Sequence, residues 1–96
     1  MYVLITYDIN VTSPKGQSRL RKVAKTCVNY GQRVQNSVFE CKVNEAELLK
    51  LKNLLIDIID TETDSLRIYR LGDNYDKKVQ HVGAKNTYKF DDALIL

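Results

Sequence analysis

The sequence predicts an α+β fold: a ferredoxin-like β-α-β-β-α-β sandwich with an extra C-terminal strand, packed sheet on sheet in a homodimer. Three observations carry that expectation. Segments of period-two and period-3.6 hydrophobicity follow one another in the order strand, helix, strand, strand, helix, strand. The first strand is apolar on both faces, so the side the helices leave open still needs a cover. The chain has 96 residues, which bury a modest core, and pairing with a second copy is a common remedy at that size.

The first strand is Tyr2-Val3-Leu4-Ile5-Thr6-Tyr7-Asp8. Val3, Ile5 and Tyr7 alternate with Leu4, Thr6 and Asp8, so neither side is polar until the closing carboxylate. Asp is a poor strand residue, and at this position it needs either a capping role or a chemical one. A polar loop with turn residues follows, and then a helix with Leu20, Val23, Ala24, Cys27 and Val28 on one stripe. Ser13 before Pro14 and Ser18 both suit its N-cap. Arg21, Lys22 and Lys25 fall on the opposite side, and Asn29-Tyr30-Gly31 ends the helix, with Gly31 expected in the left-handed conformation.

Arg33 to Val43 reads as strand, with Phe39, Cys41 and Val43 on one face and Val38, Glu40 and Lys42 on the other. Gln35-Asn36-Ser37 interrupts it as a tight hairpin or a bulge does. Asn44 and Glu47 form a capping pair for a helix over Glu45 to Ile59. Leu48, Leu51, Leu55 and Ile58 make its core stripe, widened by Leu54 and Ile59. Asp64 to Leu71 is the fourth strand, and Lys78 to Gly83 a short fifth. One domain over residues 1–83 is expected, with 84–96 as a tail whose apolar end, Leu94, Ile95 and Leu96, docks on a partner.

Charge is unevenly spread. No acid occurs from Ile9 to Phe39, where Lys15, Arg19, Arg21, Lys22, Lys25 and Arg33 lie. From Glu45 to Asp64 six acids face Lys50 and Lys52. Such a split suits one surface for a polyanion and another that avoids it. No apolar run reaches transmembrane length and the N-terminus lacks signal-peptide features, so no membrane partner and a cytoplasmic location are expected. Cys27 and Cys41 lack metal or redox spacing and are read as reduced core residues.

Taken together, Leu4-Ile5-Thr6-Tyr7-Asp8, Arg19-Leu20-Arg21-Lys22-Val23-Ala24-Lys25, the Tyr30-Gly31 helix end and Arg33-Val34-Gln35-Asn36-Ser37-Val38-Phe39-Glu40 resemble CRISPR-associated protein 2. Tyr69-Arg70-Leu71-Gly72 and the acidic-then-apolar tail resemble type I-C members. The resemblance covers the chain from the first strand through the fourth. It implies a homodimer that joins the CRISPR-associated protein 1 integrase in acquiring new spacers. It implies a metal-dependent endonuclease acting on duplex DNA or single-stranded RNA, with the metal-binding aspartate at Asp8. It also allows a non-catalytic reading, a scaffold that holds duplex DNA between integrase subunits.

Physical chemistry bounds these readings. Mg2+, or Mn2+ in its place, keeps several waters and takes one or two carboxylates, so Asp8 from each of two subunits suffices as the protein's share. Such an ion polarises a phosphate oxygen and lowers the pKa of a bound water. The alternative for Asp8 is capping the Asn10–Ser13 loop. The lone His81 lies far along the chain, which leaves no obvious general base. Ser37 and Phe39 are candidates for shaping the site. Arg19, Arg21, Lys22, Lys25 and Arg33 are candidates for phosphate contacts, which are sequence-tolerant and salt-dependent. The tyrosines fall mostly in strands or at the helix end, which favours duplex backbone over stacked single strands. Leu94, Ile95 and Leu96 are expected to add a strand to a sheet edge of the dimer mate or the integrase. A small RNA-binding or metabolite-sensing regulator of the same fold explains the basic patch but leaves Asp8 without a role.

Overall fold

The structure is a computed structural model that describes residues 1–72, 80 and 82. Its elements are β1 (Tyr2–Asp8), α1 (Pro14–Val28), β2 (Gly31–Gln35), β3 (Val38–Lys42), α2 (Glu45–Ile58) and β4 (Ser65–Gly72). The four strands form one sheet in the order β2-β3-β1-β4, antiparallel throughout. That is the ferredoxin-like arrangement. The expected strand at Lys78–Gly83 and the tail at 84–96 lie outside the described residues, except that Gln80 and Val82 belong to no regular element.

β1 is central, flanked by β3 and β4. Ile5 sits opposite Phe39 on one side and Ile68 on the other. Because strand side chains alternate, this register puts Val3, Ile5, Tyr7, Phe39 and Cys41 on one face. All five are buried, in one cluster with Val23 and Cys27 of α1 and Leu48, Leu51 and Leu55 of α2. Both helices therefore cover the same side of the sheet. Leu51 and Leu55 are fully enclosed, and truncating either to alanine is expected to cost about 2–5 kcal/mol. Burial pushes both thiols up to about 12, so Cys27 and Cys41 are inert core residues.

The ends of the helices follow from their flanking residues. Ser13, not Ser18, caps α1: its Oγ accepts the Gly16 amide at 3.1 Å, with Pro14 in the first turn. Asn44 and Glu47 form the reciprocal capping box at α2, at 2.8 and 2.9 Å. Gly31 corrects the expectation of a left-handed helix end. It opens β2 with ordinary φ, and a Cβ there would run into the Glu40 carbonyl and the Cys41 side chain. Its glycine is needed for close strand approach. Leu54 is also corrected, since it lies on the exposed side of α2 instead of widening the core stripe.

The interruption at Gln35-Asn36-Ser37 is both a hairpin and a bulge. Asn36 and Ser37 join β2 to β3, and the register shifts between Arg33 and Gln35. The face away from the helices carries Tyr2, Leu4, Thr6, Val38 and Tyr69, and no described element covers it. Among the described residues no helix is long and apolar enough to cross a membrane.

Candidate active site and nucleic-acid surface

Asp8 ends β1 on the open face. Its neighbours in sequence, Tyr7 and Ile9, are both buried, whereas Asp8 is exposed. The register sets it opposite Ser65, and sets Thr6 opposite Arg67 one step along the same face. Arg67 is exposed, and its Nη1 donates to the Tyr69 hydroxyl at 2.9 Å. The Asp8 carboxylate forms no hydrogen bond or ion pair with any described residue.

The capping role open to Asp8 is filled by others. Asp64 Oδ1 accepts the Asn10 amide at 2.9 Å. Asn10 Oδ1 then accepts the Thr12 amide and hydroxyl at 3.0 and 2.7 Å, closing an Asx turn. The loop after β1 is thus organised without the Asp8 side chain. Among the described residues no group of three or more His, Cys, Asp or Glu side chains converges. A divalent cation at Asp8 would draw one carboxylate per chain and otherwise waters and phosphate, which fits magnesium's habit.

Asp64 is the residue that sequence reasoning missed. Its place in the pattern is the start of the fourth strand, yet it is the one buried charged side chain among the described residues. Arg19 Nε donates to its Oδ2 at 2.8 Å. Burial raises the Asp64 pKa, but the Arg19 hydrogen bond and the amides of Asp60 and Asn10 outweigh it and bring the value down to about 2. A signal for this pair was present. Arg19 stands four residues before buried Val23, on the core-facing row of α1, and such a cation needs an anion.

The phosphate candidates therefore divide. Arg19 is turned inward to Asp64, with its side chain one-fifth exposed, and the expectation of a surface phosphate contact is corrected there. Arg33 lies on the helix side of the sheet, its guanidinium 5.2 Å from the centre of the Phe39 ring, and is half-buried. Arg21, Lys22 and Lys25 are exposed on α1 and form no ion pair with a described residue. Lys25 stands three residues after Lys22 and four after Arg21, so the three make one cationic patch. α1 lies on the opposite side of the sheet from Asp8, so the structure keeps carboxylate and patch apart within one chain.

The site-shaping candidates also divide. Phe39 is fully buried and stacks on Tyr7 with ring centres 6.3 Å apart, so it is a core residue on the side away from Asp8. Ser37 adjoins the end of β1, where its carbonyl accepts the Tyr7 amide at 3.1 Å. The Tyr7 hydroxyl donates to the Asn36 carbonyl at 3.3 Å. Burial raises the Tyr7 pKa, partly offset by Arg33. The hairpin is thereby fastened beside Asp8 by partly buried contacts.

Residues 1–79 match the family model described as CRISPR associated protein Cas2. The chain belongs to the Cas2 family. It is 61% identical over 95 residues to the CRISPR-associated endonuclease Cas2 of Halalkalibacterium halodurans, covering 99% of each chain. It is 52% identical over 96 residues to the CRISPR-associated endoribonuclease Cas2 of Chlorobaculum tepidum, covering the whole of both. Among solved structures it resembles Streptococcus pyogenes Cas2 at pH 6.5, with 57% identity and a TM-score of 0.78 over 86% of this chain and 100% of that one. The names of these Cas2 relatives assign nuclease activity, one without stating the nucleic acid and one with RNA in its name.

Proposed function

We propose that this chain is a CRISPR-associated, metal-dependent endonuclease that acts as a homodimer, with Asp8 as the carboxylate that holds the cation. The observation that carries this reading is the state of Asp8. It is an exposed strand-end carboxylate whose structural duty has been taken by Asp64. A charged group that bonds to no described residue, on the face that no described element covers, is suited to a ligand. Two-fold pairing through the open face supplies the second Asp8. The names of the relatives support nuclease chemistry on DNA or RNA phosphodiesters.

Mg2+, with Mn2+ as the substitute, would be held by Asp8 from both subunits and would supply electrophilic polarisation of the phosphate. The protein's own groups do the remainder. The hairpin at Asn36-Ser37 and the ladder partner Ser65 fix the direction of β1 where Asp8 leaves it. Arg67, exposed on the same face, suits a substrate phosphate. No described side chain near Asp8 is placed to serve as a general base, so turnover is expected to be slow. The test is cleavage of labelled duplex DNA and single-stranded RNA with Mg2+ and with EDTA. Metal-dependent products support the enzyme; their absence overturns it.

The cationic patch of Arg21, Lys22 and Lys25 favours a second reading alongside the first. The dimer holds duplex DNA by its phosphates and bridges subunits of the CRISPR-associated protein 1 integrase in spacer acquisition. Under that reading the terminal Leu94-Ile95-Leu96 segment docks on the integrase or the mate. Deleting it weakens the complex, and an unchanged complex removes the docking role.

A further inference from the structure

Asp64 takes no part in the chemistry outlined above, yet it is the most heavily bonded side chain near it. Its carboxylate is fully shielded from solvent. It accepts the Asp60 and Asn10 amides at 2.9 Å each, the Thr63 hydroxyl at 3.3 Å, and Arg19 through Nε at 2.8 Å and Nη2 at 3.4 Å. The Asp60 and Thr63 bonds are local and shape the turn before β4. The Asn10 bond spans 54 residues and ends two positions beyond Asp8.

The backbone around Asp8 is thereby fixed from both sides. Tyr7 and Ile9 are held by burial, Asp8 by its ladder pairing with Ser65, and Asn10 by Asp64. A carboxylate that is its chain's one ligand gains nothing from chelation by neighbours. Its affinity for a cation then depends on how firmly its backbone is aimed, which is the work of outer partners.

We propose that Asp64 is a positioning residue for Asp8: through the Asn10 amide it sets the backbone from which the Asp8 carboxylate meets a divalent cation. This rests on the reading of Asp8 as the cation-holding group. Arg19 in turn keeps Asp64 in place, so the ion pair serves aim as well as stability only through the Asn10 bond.

The test is a Mg2+ titration of the dimer followed by the amide resonances of Asp8, Ile9 and Asn10, with hydrogen exchange at Asn10 as a readout independent of metal. Wild type, Asp64→Ala and Asp64→Asn are compared, with Leu55→Ala as a control for reduced stability. Asp64→Ala is expected to raise the half-saturating Mg2+ concentration about 10- to 100-fold and to speed Asn10 exchange. Asp64→Asn keeps an oxygen for the Asn10 amide but gives up the ion pair and one acceptor, so it is expected to fall between wild type and Asp64→Ala in both. Leu55→Ala is expected to leave Mg2+ binding unchanged. If Asp64→Ala does not fold, an ester in place of the Ile9–Asn10 amide removes the same donor and leaves the Arg19–Asp64 pair intact. Unaltered Mg2+ binding in Asp64→Ala or in the ester, or equal weakening in Asp64→Asn, overturns the proposal. A wild type whose resonances ignore Mg2+, or respond equally in Asp8→Ala, instead shows that the reading of Asp8 has failed and takes the proposal with it.

Discussion

The Asn10 amide donates to Asp64 Oδ1 at 2.9 Å, across 54 positions of sequence, and this bond relieves Asp8 of the loop it would otherwise cap. A strand-end aspartate commonly serves the turn that follows it. Here the turn is served by Asp64 and Asn10, and Asp8 is left exposed on the face that no described element covers. The division separates a structural carboxylate from the one that the proposed function uses.

The pH dependence of stability follows from Asp64. Its pKa is lowered to about 2 from an ordinary value of 3.8. A carboxyl whose pKa is depressed in the folded state adds stability above its unfolded pKa and loses it as pH falls through the folded one. The contribution is therefore expected to be full at about pH 5 and to fade between about pH 4 and pH 2. Urea midpoints of wild type and Asp64→Asn across that window isolate it. The gap between them should close on acidification, and a constant gap contradicts the assignment.

Arg19 and the α1 patch should behave in opposite ways. Replacing Arg21, Lys22 and Lys25 by Gln is expected to weaken duplex binding. It should also flatten the plot of log affinity against log salt, by about 0.9 for each phosphate the variant no longer neutralises. Stability should stay within about 0.5 kcal/mol, because these side chains are exposed. Arg19→Gln should lower stability and leave the salt slope alone, because its partner is Asp64. Anisotropy titrations at several salt concentrations, with urea melts, check both halves.

Two glycines should differ in cost. Gly31→Ala forces a methyl against the Glu40 backbone and the Cys41 side chain, and is expected to cost about 1–3 kcal/mol. Gly72 has φ of 81° with no described atom within 4 Å of its missing Cβ, so Gly72→Ala is expected to bear left-handed strain, about 1 kcal/mol. Urea unfolding of the two variants reads the difference directly.

The open sheet face should carry the pairing of two chains. Leu4 lies at its centre, between Glu40 and Tyr69, and Tyr69 is 41% exposed. Leu4→Glu is expected to give monomers in sedimentation equilibrium while far-ultraviolet circular dichroism stays unchanged. A dimer that survives this substitution places the interface elsewhere.

Much of the architecture was legible in the sequence because its signals are local. The stripe of Val23 and Cys27, the stripe of Leu48, Leu51 and Leu55, and the Asn44–Glu47 box each lie within a few turns of one helix. What escaped was decided across the chain. Gly31 beside a helix end suggested a left-handed cap, but its surroundings are set by Glu40 and Cys41 on a neighbouring strand. Ser13 and Ser18 are equivalent by local rules, and the structure decides by starting α1 at Pro14. Arg19 stands on the core-facing row of α1, but its partner Asp64 comes from 45 positions away, which no local pattern identifies. Asp8 itself was visible as an anomaly, and its freedom from structural duty was not.

That freedom is best tested by making Asp8→Ala beside wild type through identical purification. Urea melts and cleavage of labelled duplex DNA and single-stranded RNA are then run on both, with Mg2+ and with EDTA. Stability is expected to change by no more than about 0.5 kcal/mol, since an exposed side chain that pairs with no described residue is removed. Metal-dependent cleavage is expected in wild type and absent in the variant. Cleavage that survives in Asp8→Ala, or a variant that unfolds, contradicts the division of labour between Asp8 and Asp64.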